Sequence, residues 1–283
     1  MIPNAFEYYR PKTISDALKV LTDHGDEARV IAGGHSLIPL MKLRMAQISH
    51  LVDLQDIGDL KGVTVGTTIR IGALTTQHDL IVHAALTAAA PILKEAALQI
   101  ADPQVRYVGT IGGNVANGDP GNDMPGLMQC LDATYILSGP GGLRSVASRG
   151  FYQGAYATER GEDEILVAIE FAAPAGGYAY EKQKRKIGDY ATAAAAVQIS
   201  ATGGKVSAAS IAMTNLSDTP VWSGAAGAAL VGTDCGPSAV KAAVAAMLND
   251  INPSADNRGP VEFKRHVAGV ILGRAIARAW SRT

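Results

Sequence analysis

Apolar and polar positions change their period several times along this chain. In residues 15–23, apolar Ala17, Leu18 and Leu21 recur at helical spacing behind Ser15, which predicts a short amphipathic helix capped by that serine. The mostly apolar run 28–32 predicts a strand that ends at Gly33-Gly34. Ser36 and Pro39 suit the start of a new helix, and residues 50–54 read as another short strand. Together these elements make an α/β unit ending near Asp56.

From Val63 the pattern shifts to short strands at 63–65 and 68–73, followed by a helical stretch from about Thr75 to Ile100 that is interrupted near Pro91. A Gly-rich segment from Gly109 to Gly121 comes next, and further strand-like pieces lie at 133–138 and 164–171. The middle region therefore reads as α+β and largely antiparallel. Pro174, Gly176 and Gly177 mark a boundary. Beyond it, strands are predicted at 178–184, 192–201 and 205–214, the last two joined across Gly203-Gly204 as a hairpin, with helices near 236–249 and 261–281. The expected division is 1–56, 57–175 and 176–283, the last an α+β unit with an antiparallel sheet.

Composition narrows the function classes. The 283 residues are 47% hydrophobic and 18% charged, the balance of a soluble globular protein, and a formal net charge of -1 supplies no broad positive field for nucleic acid. Met1 to Thr13 lacks the order of a signal peptide, and the alanine-rich stretches at 84–98 and 191–197 fall short of a bilayer span. A soluble, cytoplasmic chain is expected. Cys130 and Cys235 are too few for a disulfide framework or a four-thiolate iron-sulfur cluster, so any cluster belongs to another chain. Cys130 sits in an apolar stretch and reads as a core thiol. The six histidines show no zinc-site spacing, and no metal is assigned. No GxSxG elbow supports hydrolysis, and no catalytic residue is assigned.

Three segments carry candidate chemistry. In Ala32-Gly33-Gly34-His35-Ser36-Leu37, glycines at a strand end let the backbone approach a ligand, and the following amides can face a phosphate. The segment is neither a GxGxxG fingerprint nor a P-loop, and such a turn alone is more often only a turn. In Gly109-Thr110-Ile111-Gly112-Gly113-Asn114, followed by Asn117 and Asp123, successive amides can form an anion nest, and Asp123 can accept from ribose or adenine. A polar surface loop with Asx turns is the plainer reading. Two Gly-Gly loops in adjacent units nevertheless suit a pyrophosphate held from two sides. The third segment runs from Glu181 to Lys186 and on to Tyr190; strand alternation sends Lys182, Lys184 and Lys186 to one face, toward phosphate, a neighbouring subunit or solvent.

With these residues in view, the sequence resembles the flavoprotein family of the molybdenum hydroxylases, which includes the FAD domain of xanthine dehydrogenase. The two Gly-Gly loops fall in the order and separation that the family uses. The stretches 100–107, 117–125 and 178–190 resemble the carbon monoxide dehydrogenase branch in particular. The resemblance covers nearly the whole chain and is weakest after Trp222.

That resemblance implies an α+β architecture: an FAD-binding fold of two α/β subdomains of the vanillyl-alcohol-oxidase type, with FAD between them, and a C-terminal domain. By position it implies that Ala32 to Leu37 and Gly109 to Asn114 hold the pyrophosphate and its neighbours, with Asn117 nearby and Asp123 at the ribose or adenine end. Ile100, Leu166, Lys182 and Tyr190 would surround the isoalloxazine; xanthine-type relatives carry an aromatic residue where Ile100 stands. It further implies a small partner with two [2Fe-2S] clusters, a large partner with the molybdenum cofactor, a heterohexamer with two copies of each subunit, and a quinone acceptor. The complex would lie in the cytoplasm, associated with the inner face of the membrane. An aldehyde or N-heterocycle hydroxylase and a non-redox nucleotide-binding scaffold are the competing readings.

Overall fold

The computed structural model describes residues 2–283. Its N-terminal sheet is parallel and three-stranded, with His50–Asp53 between Glu7–Tyr9 and Ala28–Ile31. Helix Ile14–His24 covers this sheet with buried Ala17 and Leu21. Its N-cap is Thr13, not Ser15: the Thr13 hydroxyl accepts from the Asp16 amide at 3.1 Å, which starts the helix one residue earlier than the apolar spacing predicts. Strand Glu7–Tyr9 has no pattern of its own, being short and largely exposed, and exists because its backbone pairs with His50–Asp53.

The middle sheet is antiparallel, in the order Val63–Thr64, Thr68–Gly72, Ile165–Ala172, Thr134–Gly139, Gly142–Ala147. The expected long helix is instead three short ones, Gln77–Val82, Ala84–Ala89 and Pro91–Ala97. Pro91 accounts for one break, as expected. The other falls at His83, whose backbone is extended and whose Nδ1 accepts from the Leu86 amide at 3.1 Å, so the imidazole caps the next helix.

The Gly-rich segment is likewise not all loop. Ile111–Ala116 is a helix capped by Thr110, whose hydroxyl accepts from the Gly113 amide at 3.0 Å, and Asp123–Cys130 is a helix with every residue buried.

The C-terminal sheet runs Gly177–Gln183, Ala193–Thr202, Lys205–Thr214, Val221–Trp222, all antiparallel. Helices Pro237–Asp250 and Val261–Trp280 cover one face. Helix Asp123–Cys130 packs on the other. Burial on both faces explains the alanine run: Ala193, Ala195, Val197 and Ile199 enter the C-terminal core, while Ala194 and Ala196 enter the core of the middle region. Gly177 lies against the Ala279 carbonyl of the last helix so closely that no side chain fits there.

Candidate functional site

A cavity of about 790 Å³ opens between strand Ala28–Ile31 with the loop after it, the helices and turns of the middle region, and the segment from Lys182 to Tyr190. Strand Ala28–Ile31 delivers the first Gly-Gly loop to its wall, and Gly34 turns that loop with φ of 73°. A β-carbon at Gly33 would stand 2.5 Å from the Val108 carbonyl oxygen and 2.8 Å from the Gly109 Cα, so only glycine lets the two loops touch. The second loop is tied to the middle sheet: the Ile111 amide donates to the Thr75 carbonyl and the Gly112 amide to the Ala73 carbonyl, each at 2.9 Å. Asn114 clasps the next turn. Its Oδ1 accepts from the Met124 amide at 3.1 Å, and its carbonyl accepts from Asn122 Nδ2 at 2.8 Å.

Of the residues expected at a ligand, Ala32, Gly33, Gly34, His35, Ser36, Leu37, Ile100, Gly109, Thr110, Gly113, Asn114, Asn117, Asp123, Lys182 and Tyr190 line this cavity. Ile111, Gly112 and Leu166 do not. Ile111 is wholly buried in the middle core, Gly112 packs against Ala73, and Leu166 is a core residue of the middle sheet. The Ile111 and Gly112 amides hold the second loop in place from behind.

Asp123 is also engaged within the protein. It is buried, and both carboxylate oxygens already have partners within the protein: Tyr180 Oη donates to Oδ1 at 2.5 Å and Lys182 Nζ to Oδ2 at 2.8 Å. Burial first, and the Asp123 charge second, push the Tyr180 hydroxyl well above the ordinary tyrosine range, so it stays a donor. The strand ends at Gln183, and of the three alternating lysines Lys182 and Lys184 share a face, both ammonium groups reaching the Gln99 carbonyl, while Lys186 does not join them. Lys182 is buried, Lys184 reaches toward the Gln99 carbonyl at 3.5 Å, and Lys186 is exposed. Burial, with the Lys182 charge beside it, lowers the Lys184 pKa.

Other cavity residues carried no sequence signal. Gln77 follows the Thr76 cap, and its position beside the second loop is set by its amide, which donates to the Gly109 carbonyl at 2.9 Å. Arg29 and Arg160 line the wall together; burial, then the Arg29 charge, lowers the Arg160 pKa. Tyr156 reaches the cavity from the tip of a small ribbon, Tyr152–Gly154 with Ala157–Thr158, at a positive φ of 59°. At the rim, Arg185 and Arg258 flank Asp189 at 2.9 and 3.5 Å, and the Arg258 guanidinium lies 5.6 Å from the Tyr190 ring centre.

Residues 4–174 match the family model described as the FAD binding domain in molybdopterin dehydrogenase. The chain belongs to this family. Residues 178–279 match a second model, the CO dehydrogenase flavoprotein C-terminal domain. Among similar proteins, the carbon monoxide dehydrogenase medium chain of Afipia carboxidovorans is 56% identical over 285 residues, covering all of this chain and 99% of the relative. The medium chain from Hydrogenophaga pseudoflava is 44% identical, again over all of this chain and 99% of the relative. The crystal structure of a Cu,Mo-CO dehydrogenase in its cyanide-inactivated form contains a chain with a TM-score of 0.98 and 56% identity, each chain covered in full.

The cleft fits the FAD of this family on three counts. Gln77 Nε2, Gln77 Oε1 and Asn117 Nδ2, all on cavity residues, are buried without a partner in the protein. The Gly33 contact leaves bare backbone at the junction of the two loops. Arg29 and Arg160 supply cationic groups for a dianionic pyrophosphate.

Proposed function

We propose that this chain holds FAD in the cleft between its two Gly-Gly loops and acts as the electron exit of a carbon monoxide dehydrogenase. Electrons from CO oxidation on a large molybdopterin subunit would arrive through the [2Fe-2S] clusters of a small subunit and leave to a quinone. The observation that carries the reading is the closure of the two loops on each other at Gly33, in a cavity whose wall keeps buried polar groups without partners.

In this assignment, the backbone from Ala32 to Leu37, together with Gly109, Thr110, Gly113, Asn114 and Asn117, holds the pyrophosphate and the groups beside it. Ile100, Lys182 and Tyr190 border the isoalloxazine, Ile100 by aliphatic packing and Lys182 by its positive charge. Asp123 acts through Lys182 rather than on ribose. Bound FAD supplies the ability to accept electrons singly and release a pair. The chain's residues bind and orient it and exclude water from its inner edge; none need act as acid, base or nucleophile.

We assign FAD binding to units 1–56 and 57–175, with 176–283 bringing Lys182 and Tyr190 to the cleft, and the assembly as a cytoplasmic heterohexamer at the inner membrane face. Among the described residues no helix is long and apolar enough to cross a membrane, so such an association would run through the complex.

The test is the visible spectrum of the native complex purified through this chain, before and after anaerobic addition of CO. Flavin and iron-sulfur absorption that bleaches with CO is the expected result. Flavin absorption indifferent to CO would move the substrate to an aldehyde or N-heterocycle, and a colourless folded complex would refute FAD binding.

A further inference from the structure

Tyr180, Asp123 and Lys182 form a continuous buried chain beneath the cleft. The Tyr180 side chain is almost fully buried, and its hydroxyl donates to one Asp123 oxygen at 2.5 Å. Lys182 Nζ donates to the other at 2.8 Å and to the Gln99 carbonyl at 3.2 Å, with only 1% of its side chain exposed. Asp123 and Lys182 line the cavity; Tyr180 stands behind them. The Tyr180 backbone is itself pinned, its amide donating to Glu95 Oε2 at 3.1 Å and its carbonyl accepting from Arg278 at 2.7 Å.

A carboxylate in a dry site divides its charge among the donors that reach it, and a hydroxyl donor competes with the ammonium for that charge. While Tyr180 holds one oxygen, Asp123 neutralises Lys182 only in part. The remaining positive potential acts on the cavity through a medium of low dielectric, where it is weakly screened.

We infer that Tyr180 is a positioning residue that, through Asp123, sets how much of the Lys182 charge faces the flavin and thereby its reduction potential. The inference rests on the FAD reading given above. Reduction places negative charge on the flavin, and an incompletely neutralised Lys182 favours it. In Tyr180→Phe the freed carboxylate neutralises Lys182 more fully, so the midpoint potential moves to a more negative value. In Asp123→Asn the counter-charge is gone while Lys182 keeps the Gln99 carbonyl, so the potential moves to a more positive value.

The experiment is a redox titration of flavin absorbance in the full chain, comparing the unsubstituted protein with both variants. Displacements of opposite sign are expected. Potentials that do not move, or that move in the same sense, overturn the role of Tyr180, because general loosening of the site displaces both variants alike. The sign of the Tyr180→Phe displacement decides the role of Tyr180, and Asp123→Asn supplies the opposite sign that general loosening would not give. An unsubstituted chain that takes up no FAD would instead refute the proposed function, and this inference with it.

Discussion

A β-carbon added at Gly112 would stand 2.5 Å from the Ala73 β-carbon and 2.6 Å from the Ala73 carbonyl oxygen. At Gly58, by contrast, an added β-carbon meets nothing within 4 Å. Gly112→Ala must push the second loop off the end of strand Thr68–Gly72, at a cost of about 1–3 kcal/mol. Gly58→Ala is expected to stay within about 0.5 kcal/mol of the parent, and urea unfolding of the two variants checks the contrast. The two glycines of each pair do different work. Gly33 bears on the second loop and Gly34 makes the turn, both at the cavity; in the second pair Gly113 faces the cavity, whereas Gly112 packs against Ala73. The motif is visible in the chain, but which glycine faces a ligand depends on what lies across from it.

At the level of elements, the last helix is locked to the rest by charge. Arg278 and Arg282 reach Glu95 on helix Pro91–Ala97 at 2.8 and 2.7 Å, and Arg278 also reaches Glu181 at 2.8 Å. Glu95 additionally accepts from the Tyr180 amide, so it joins the helix to the strand that carries Lys182 into the cleft. Glu95→Gln keeps the shape but removes the charge that both arginines share. A loss of about 1–3 kcal/mol is expected, read as a lower thermal midpoint, because the carboxylate is only partly screened by water. None of these pairs is local in sequence. The hairpin 193–202 with 205–214 was legible from its Gly203-Gly204 turn, and the last two helices were expected close to where they lie. Of the two breaks between Gln77 and Ala97, the one at Pro91 was legible and the one at His83 was not, because continuous apolar burial hides where a histidine side chain ends one helix and starts another.

Across the whole molecule, several carboxylates are tuned by basic partners, some near in sequence and one, Arg258 beside Asp189, far from it. Hydrogen bonding from Arg144 holds the Glu164 carboxyl below its usual range. For Asp189 and Asp256, burial opposes ionisation but is outweighed, by Arg185 and Arg258 for the first and by Lys264 and Arg258 for the second, so both also lie below their usual range. A carboxyl whose pKa is lowered on folding stabilises the protein above its unfolded value and loses that contribution as pH falls through the folded value. Stability should therefore be level from about pH 7 to about pH 5 and then fall as the pH passes below the ordinary carboxylate value of about 4. Thermal unfolding across that range checks this, and Asp189→Asn should flatten part of the decline. Because Asp189 borders the cleft, acid should also release the cofactor.

Period and composition alone determined the class of most elements, the antiparallel middle and C-terminal sheets, and the presence of two Gly-Gly loops and a basic run. Those properties depend on near neighbours in the chain: side-chain alternation, helical spacing and the freedom of glycine act over a few residues. The tertiary structure decided what the loops face. It placed Gly33 against Val108, gave Asp123 to Tyr180 and Lys182, and brought Gln77, Arg29 and Arg160 to the cavity wall. These depend on contacts between segments far apart in sequence, where burial and charge are shared among partners that no local pattern specifies.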